Sequence, residues 1–350
     1  METRIQKVNP ENFDDRELDD ACLILKREGL VAFPTETVYG LGADAMKEET
    51  SKKIYEAKGR PSDNPLIIHI AETESVYRLA KVVTGKAEQL MKAFWPGPLT
   101  IIFEKKREVP YSTTGGLDTV AVRMPSHPVA RALIRCSGIL IAAPSANTSG
   151  RPSPTKAEHV WEDLSGRIDM IIDGGQVGIG IESTIIDMTE EVPVILRPGY
   201  VTKAMLEEVI GEVAMDVALL KKPTGELRPK APGMKYRHYA PKGKMTIVEG
   251  RMEDVVREIT GMAEKWKDRG KKVAVIATEE SKELYPIEEV YSIGSRKNEA
   301  SIAAGLYDIL RKMDHIGAEY IFAESFSEEH LGHAIMNRLL KAAGYQKVKV

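Results

Sequence analysis

Residues Lys58 to Ile70, KGRPSDNPLIIHI, hold a lysine, an arginine, a rigid Pro-Ser-Asp-Asn-Pro turn and a histidine-bearing apolar run in close succession. Two cations two residues apart can grip adjacent phosphates, the lysine as a compact point charge and the arginine as a planar fork that takes two oxygens at once. The spacing predicts a helix over 50–57 that Lys58 closes, and a buried strand over 66–70. Both cations therefore stand where a helix hands over to a sheet, in a loop whose loss of charge should leave folding intact. An isolated K-x-R turn is more often a solvated basic loop, so a polyanion site here needs support from the rest of the chain.

That support comes from two strand ends. Gly29 to Gly42 reads GLVAFPTETVYGLG: an apolar strand stops at Pro34, and Thr35, Glu36 and Thr37 then offer hydroxyls and a carboxylate, with Gly40 and Gly42 closing a turn. In α/β sheets ligands lie outside the carboxyl ends of strands. Gly138 to Gly150 repeats the design with a buried strand, a proline, and the side chains of Ser145 and Asn147. Gly174 to Gly180, GGQVGIG, imitates a phosphate loop but precedes a strand, so it reads as a hairpin turn at the pocket floor.

PTETVYGLG, KGRPSDNPL, WPGPLT (Trp95 to Thr100), VRMP (Val122 to Pro125), PSANTSG, ESTIID (Glu182 to Asp187) and RPG (Arg197 to Gly199) follow one another in an order that resembles the YrdC-type threonylcarbamoyl-AMP synthases. The resemblance spans about Glu17 to Tyr200, and PGMKYRHYAP (Pro232 to Pro241) resembles the linker signature of the family's long, two-domain form. It implies a twisted mixed sheet with surrounding helices, and synthesis of threonylcarbamoyl-AMP and pyrophosphate from L-threonine, bicarbonate and ATP. That reaction is the first step toward threonylcarbamoyladenosine in tRNA, so a functional link to the tRNA threonylcarbamoyl transferase is implied.

Position by position, the resemblance implies a tetrad of Lys58, Arg60, Ser145 and Asn147 at the reacting centre. Thr35, His69, Arg123, Ala143 and Ser183 are implied to hold threonine. Ser62, Thr119, Ser153, Arg197 and the linker's Tyr236 are implied to join the tetrad around ATP. The chemistry itself asks for an amino-acid cradle, cations on a triphosphate, and a dry pocket for a labile carbamate. Mg²⁺ is expected with ATP, because a triphosphate is normally bound as its metal complex, although no dedicated carboxylate cage is visible. No Ser-His-Asp set or carboxylate dyad presents itself, so catalysis reads as electrostatic and positional.

The elements that must position these groups alternate irregularly up to Tyr200. Strands are predicted near 30–33, 66–70, 99–104, 119–124, 139–143, 168–172, 183–187 and 192–197. Helices are predicted near 17–28, 50–57, 86–94, 127–135, 155–164 and 202–210, with Thr155-Lys-Ala-Glu158 as a capping box. The Pro- and Lys-rich stretch 221–243 has no period and reads as a linker. Its Met234 to His238 bring aromatic and basic groups, which suits a lid over the nucleotide better than a plain tether. Beyond it, regular β-α alternation implies a small Rossmann-like parallel α/β domain without a G-x-G-x-x-G of its own. The division reads as 1–215 for the catalytic domain, 216–243 for the linker and 244–350 for the second domain.

Composition excludes more than it assigns. A net charge of -3 with 29% charged residues gives no global basic field, which argues against stable nucleic-acid binding. A double-stranded RNA-binding module is the alternative function, and Thr35, Ser145 and Ser183, polar but uncharged, speak against it. Cys22 and Cys136 sit in predicted helices with no C-x-x-C, so they read as core thiols; a carbamoyl-transfer maturation enzyme with cysteine-rich zinc motifs does not fit. No signal peptide and no membrane-length apolar run are present, and the expected location is cytoplasmic.

Overall fold

The computed structural model describes residues 2–216, 219, 230–231 and 239–350. They form two compact units: one built from 2–149, 153–216 and the described part of 223–235, the other from 150–152 and 239–350. The predicted linker falls largely outside the described residues.

The first unit is one mixed sheet. Its strands are β1 (Arg4–Lys7), β2 (Val31–Phe33), β3 (Gly40–Asp44), β4 (Ile67–His69), β5 (Leu99–Glu104), β6 (Thr119–Arg123), β7 (Ile141–Ala142), β8 (Met170–Asp173), β9 (Thr184–Asp187), β10 (Val194–Arg197) and β11 (Ala214–Met215). They lie in the order β1-β8-β2-β3-β7-β4-β6-β5-β9-β10-β11. Helices α2 (Glu48–Lys58), α3 (Gly85–Phe94), α6 (Ala157–Leu164) and α7 (Lys203–Ile210) bury Ile54, Leu90, Val160 and Leu206 with Leu66, Ile68, Ile101 and Val122 in one core. Helices α1 (Asp19–Lys26) and α5 (Pro128–Ser137) pack on the other side, with Val31, Phe33, Ile141 and Ile172.

Side chains alternate faces along a strand. In β4 to β6 and β9 this sends Ile67, Ile102, Ala121 and Ile185 away from the larger core, into a small cluster with Leu196 and the fully buried Ala231. The same alternation puts His69, Thr100, Arg123 and Ser183 on that face. Register brings them side by side: His69 is opposite Arg123, and Arg123 is opposite Thr100. This face carries His69, Arg123 and Ser183, three of the residues expected to hold threonine.

The second unit is an all-parallel sheet, β12 (Lys244–Glu249), β13 (Val273–Ala277), β14 (Val290–Ser292), β15 (Tyr320–Glu324) and β16 (Lys347–Lys349), in the order β14-β13-β15-β12-β16. Helices α8 (Met252–Lys267), α9 (Glu299–His315) and α10 (Gly332–Ala342) connect its strands. This is the Rossmann-like domain read from the β-α alternation.

Four local expectations are corrected. Gly40 and Gly42 do not close a turn but lie within β3, where a Cβ on Gly42 would come within 2.8 Å of Ile141 and Phe33; glycine is there for close packing, which no periodicity signals. The 174–180 segment is no hairpin, because β8 and β9 are not neighbours. The first residue before α6 is Lys156 with no side-chain cap, and the backbone N–H of buried Thr155 donates to His159 Nδ1 at 3.2 Å. Cys22 on α1 and Cys136 on α5 are joined as a disulfide, with Cα atoms 6.1 Å apart, because the fold sets those two helices side by side.

Ile68, fully buried at the centre of the larger core, gives a stability test. Ile68→Ala is expected to cost about 2 to 5 kcal/mol, read as a lower denaturant midpoint at unchanged slope.

Candidate active site

At the first strand end, Thr35 folds the chain on itself. Its hydroxyl donates to the Val38 carbonyl at 2.6 Å, accepts from the backbone N–H groups of Thr37 and Val38, and lies 2.8 Å from Thr37 Oγ1. The 174–180 segment clamps this turn from outside: Ile179 N–H donates to Glu36 O at 2.9 Å and Gly180 N–H to Thr37 O at 3.1 Å. It holds Glu36 and Thr37 in place by these two backbone bonds.

Arg123 arrives from the end of β6 and is 4% exposed. Its Nη1 donates to Thr37 Oγ1 at 2.9 Å and its Nε to Gly97 O at 3.3 Å. Its Nη2 stands 2.7 Å from Glu36 Oε1 as an ion pair that lacks hydrogen-bond geometry. A guanidinium has five N–H groups, so a fork of donors remains for an incoming carboxylate. Beside it, His69 is kept neutral: burial first, then the positive charge of Arg123, holds its pKa down at about 3. Ala143 is buried next in line, its N–H donating to Ile67 O.

Ser183 sits at the adjoining end of β9. Its hydroxyl is 2.7 Å from Thr100 Oγ1, and Arg197 fixes it through Nη2 to Ser183 Oγ and Nε to Ser183 O, both 3.0 Å. Gly199 follows because a Cβ there would come within 2.5 Å of Thr184 N. Ser153 Oγ donates to Glu182 Oε1 at 2.5 Å, and Thr119 begins β6, two alternations from Arg123 on the same face.

The cation loop differs from expectation in one respect. Lys58 is the last residue of α2, capped by Gly59 at φ 60°, and it is 2% exposed. Its ammonium donates to the carbonyls of Ser145 and Asn147, and Ser149 N–H returns to Lys58 O at 2.8 Å. Lys58 therefore ties the Ser145–Asn147 turn to the helix and is structural as well as cationic. Ser145 Oγ donates to Asn147 Oδ1 at 2.6 Å. Arg60 leans on the carbonyls of Asn64 and Pro65, and Ser62 is exposed at the rim. Tyr236 lies outside the described residues. Among those residues no group of three or more His, Cys, Asp or Glu side chains could hold a metal ion.

Sequence reasoning did not assign Thr100, Gly97, Glu182 or a contact role for Glu36. A threonine inside the apolar run of β5 was the available signal for Thr100; the others depend on which strand ends become neighbours.

The family profile described as Telomere recombination matches residues 23–199, and that described as Threonylcarbamoyl-AMP synthase, C-terminal domain, matches 201–344. The Threonylcarbamoyl-AMP synthase of Pyrococcus abyssi is 54% identical over 325 residues, 93% of each chain. The chain belongs to the threonylcarbamoyl-AMP synthase family. The Bacillus subtilis member is 49% identical over 337 residues, covering 96% of this chain and 95% of its own. The crystal structure of P. abyssi Sua5 complexed with L-threonine superposes at TM-score 0.94 and 50% identity, covering 99% of this chain and 100% of the other. A double-stranded RNA-binding module is not favoured beside synthases of this similarity. Among the described residues no helix is long and apolar enough to cross a membrane.

The buried neutral histidine sets a pH dependence. An unfolded histidine titrates near 6.5, so between that value and about 3 the unfolded chain binds a proton that folded His69 refuses. Its contribution makes stability fall as pH drops through this window, by at most about 1.4 kcal/mol per pH unit. Unfolding midpoints of His69→Asn are expected to depend less steeply on pH there than wild type; equal slopes would contradict the neutral assignment.

Proposed function

We propose that this protein is an L-threonylcarbamoyladenylate synthase, a nucleotidyltransferase that makes threonylcarbamoyl-AMP and pyrophosphate from L-threonine, bicarbonate and ATP for threonylcarbamoyladenosine modification of tRNA. The observation that carries the reading is Arg123: a buried guanidinium with donors to spare, beside His69 and Thr100 by strand register on one sheet face. A carboxylate is the group that a planar fork of this kind takes best.

Threonine's carboxylate is assigned to Arg123, with Thr35, His69, Ala143 and Ser183 around the rest of the molecule. Lys58 and Arg60, with Ser145 and Asn147, are assigned to the triphosphate; Ser62, Thr119, Ser153, Arg197 and Tyr236 complete the nucleotide site. Mg²⁺ is assigned to ATP as part of the substrate complex, neutralising phosphate charge. Transfer of the adenylyl group to N-carboxy-threonine then needs the two substrates held in line in a site that excludes water. The product is assigned to the tRNA threonylcarbamoyl transferase, and the location to the cytoplasm.

A lid role for the linker draws support from two described residues. Ala231 is fully buried against Ile67, Ile102 and Ala121 on the same face that bears Arg123, and Lys230 pairs with Glu190 at 2.7 Å. Ala231 thus packs on the apolar half of that face. Ala231→Arg is expected to displace the linker and lower synthesis about tenfold or more, while thermal unfolding of the first unit changes little; unchanged turnover would reduce the linker to a tether.

The reaction has a direct test. Pyrophosphate release from ATP is expected only when L-threonine and bicarbonate are both supplied, and equal release without threonine would end the assignment. Arg60→Ala is expected to lose about 2 to 4 kcal/mol of transition-state stabilisation, roughly 30- to 1000-fold in rate, with folding intact. Lys58→Ala is expected to lose thermal stability as well, because it leaves two carbonyls without their ammonium.

A further inference from the structure

Glu36 has no part in the site as assigned so far, yet it is the anion nearest the Arg123 guanidinium. Its side chain is 14% exposed, and both carboxylate oxygens lack a hydrogen-bond donor among the described residues. A buried carboxylate left this way is costly unless another donor arrives.

Charge balance says what that donor is. His69 is neutral, and burial lowers the pKa of His127, at the start of α5, although the nearby Glu36 charge opposes the shift. The charged groups that meet at the Thr35–Thr37 turn are Arg123 and Glu36, which cancel; Arg197 stands further along the face, bonded to Ser183. A lone carboxylate docked on Arg123 would put two anions on one guanidinium. A zwitterion brings its own cation, so it leaves the cradle neutral and fills both orphaned groups at once.

We propose that Glu36 receives the α-ammonium of the amino-acid substrate while Arg123 holds its carboxylate, and that Glu36 then takes the proton that frees the nitrogen for carbamate formation. This rests on the threonine reading above. The ammonium passes one proton to Glu36, and the freed lone pair forms the C–N bond with the carbon of bicarbonate. The departing hydroxide takes the proton from Glu36 and leaves as water, and the second proton on the nitrogen is lost to solvent as the carbamate forms.

The test compares three ligands by calorimetry on the full chain: L-threonine, (2S,3R)-2,3-dihydroxybutanoate, which lacks the ammonium, and threoninol, which lacks the carboxylate. Wild type is expected to prefer threonine over the dihydroxy acid by about a hundredfold or more. Glu36→Gln is expected to abolish that preference by weakening threonine alone, whereas Arg123→Ala should weaken threonine and the dihydroxy acid but spare threoninol. At saturating threonine, pyrophosphate release by Glu36→Gln should recover as pH rises toward the range where a free α-amine forms unaided. Equal loss of both acids in Glu36→Gln, or a pH-independent deficit, would make Glu36 a brace for Arg123 and overturn the proposal. Should Glu36→Gln not fold, equal wild-type affinity for threonine and the dihydroxy acid overturns it without any variant. Threonine binding that is indifferent to Arg123→Ala would instead sink the threonine reading itself.

Discussion

A full positive charge lies on the apolar face of a β-sheet, and the site is built around keeping it satisfied. Arg123 is buried between His69 and Thr100 on neighbouring strands and meets the Thr35–Thr37 turn, where an isolated charge would cost several kcal/mol. Gly97 O, Thr37 Oγ1 and the Glu36 carboxylate each meet part of it. None saturates it. The same requirement explains why the 35–39 turn is held from two sides, by its own threonine and by the backbone of Ile179 and Gly180. Movement of this turn would take the counter-charge away from Arg123.

That sheet face divides into two halves with different physics. One half, Ile67, Ile102, Ala121, Ile185 and Leu196, is apolar and covered by Ala231. The other carries His69 and Arg123, and Thr100, Ser183 and Arg197 linked through hydroxyls and a guanidinium. Helices α1 and α5 pack on the β2, β7 and β8 part of the sheet, with Val31, Phe33, Ile141 and Ile172. An apolar floor beside a polar wall suits a substrate with a charged end and a reactive carbamate that must stay dry.

Much of this was legible in the sequence, for a physical reason. Strands whose side chains alternate between a core and a ligand show an isolated polar residue in an apolar run, and His69 and Arg123 stood out in that way. The apolar spacing of 50–57 and 66–70 placed Lys58 and Arg60 at a helix-to-strand junction, where they are found. What was not legible depends on which elements become neighbours. Lys58 is buried because the Ser145–Asn147 turn folds onto the end of α2, and Cys22 meets Cys136 because α1 and α5 lie together. Gly40 and Gly42 read as turn residues, since glycine in a strand is recognisable only once Phe33 and Ile141 are seen to crowd it. The capping box at Thr155 failed because its backbone N–H is taken by His159.

The most direct measurement is a crystal structure of this chain with L-threonine and a non-hydrolysable ATP analogue. The expected result has the threonine carboxylate on the Arg123 fork, its ammonium within hydrogen-bond distance of Glu36, and the triphosphate along Lys58 and Arg60. Threonine bound away from Arg123, with the Glu36–Arg123 pair unchanged, would contradict the central claim that this buried charge exists to receive the substrate.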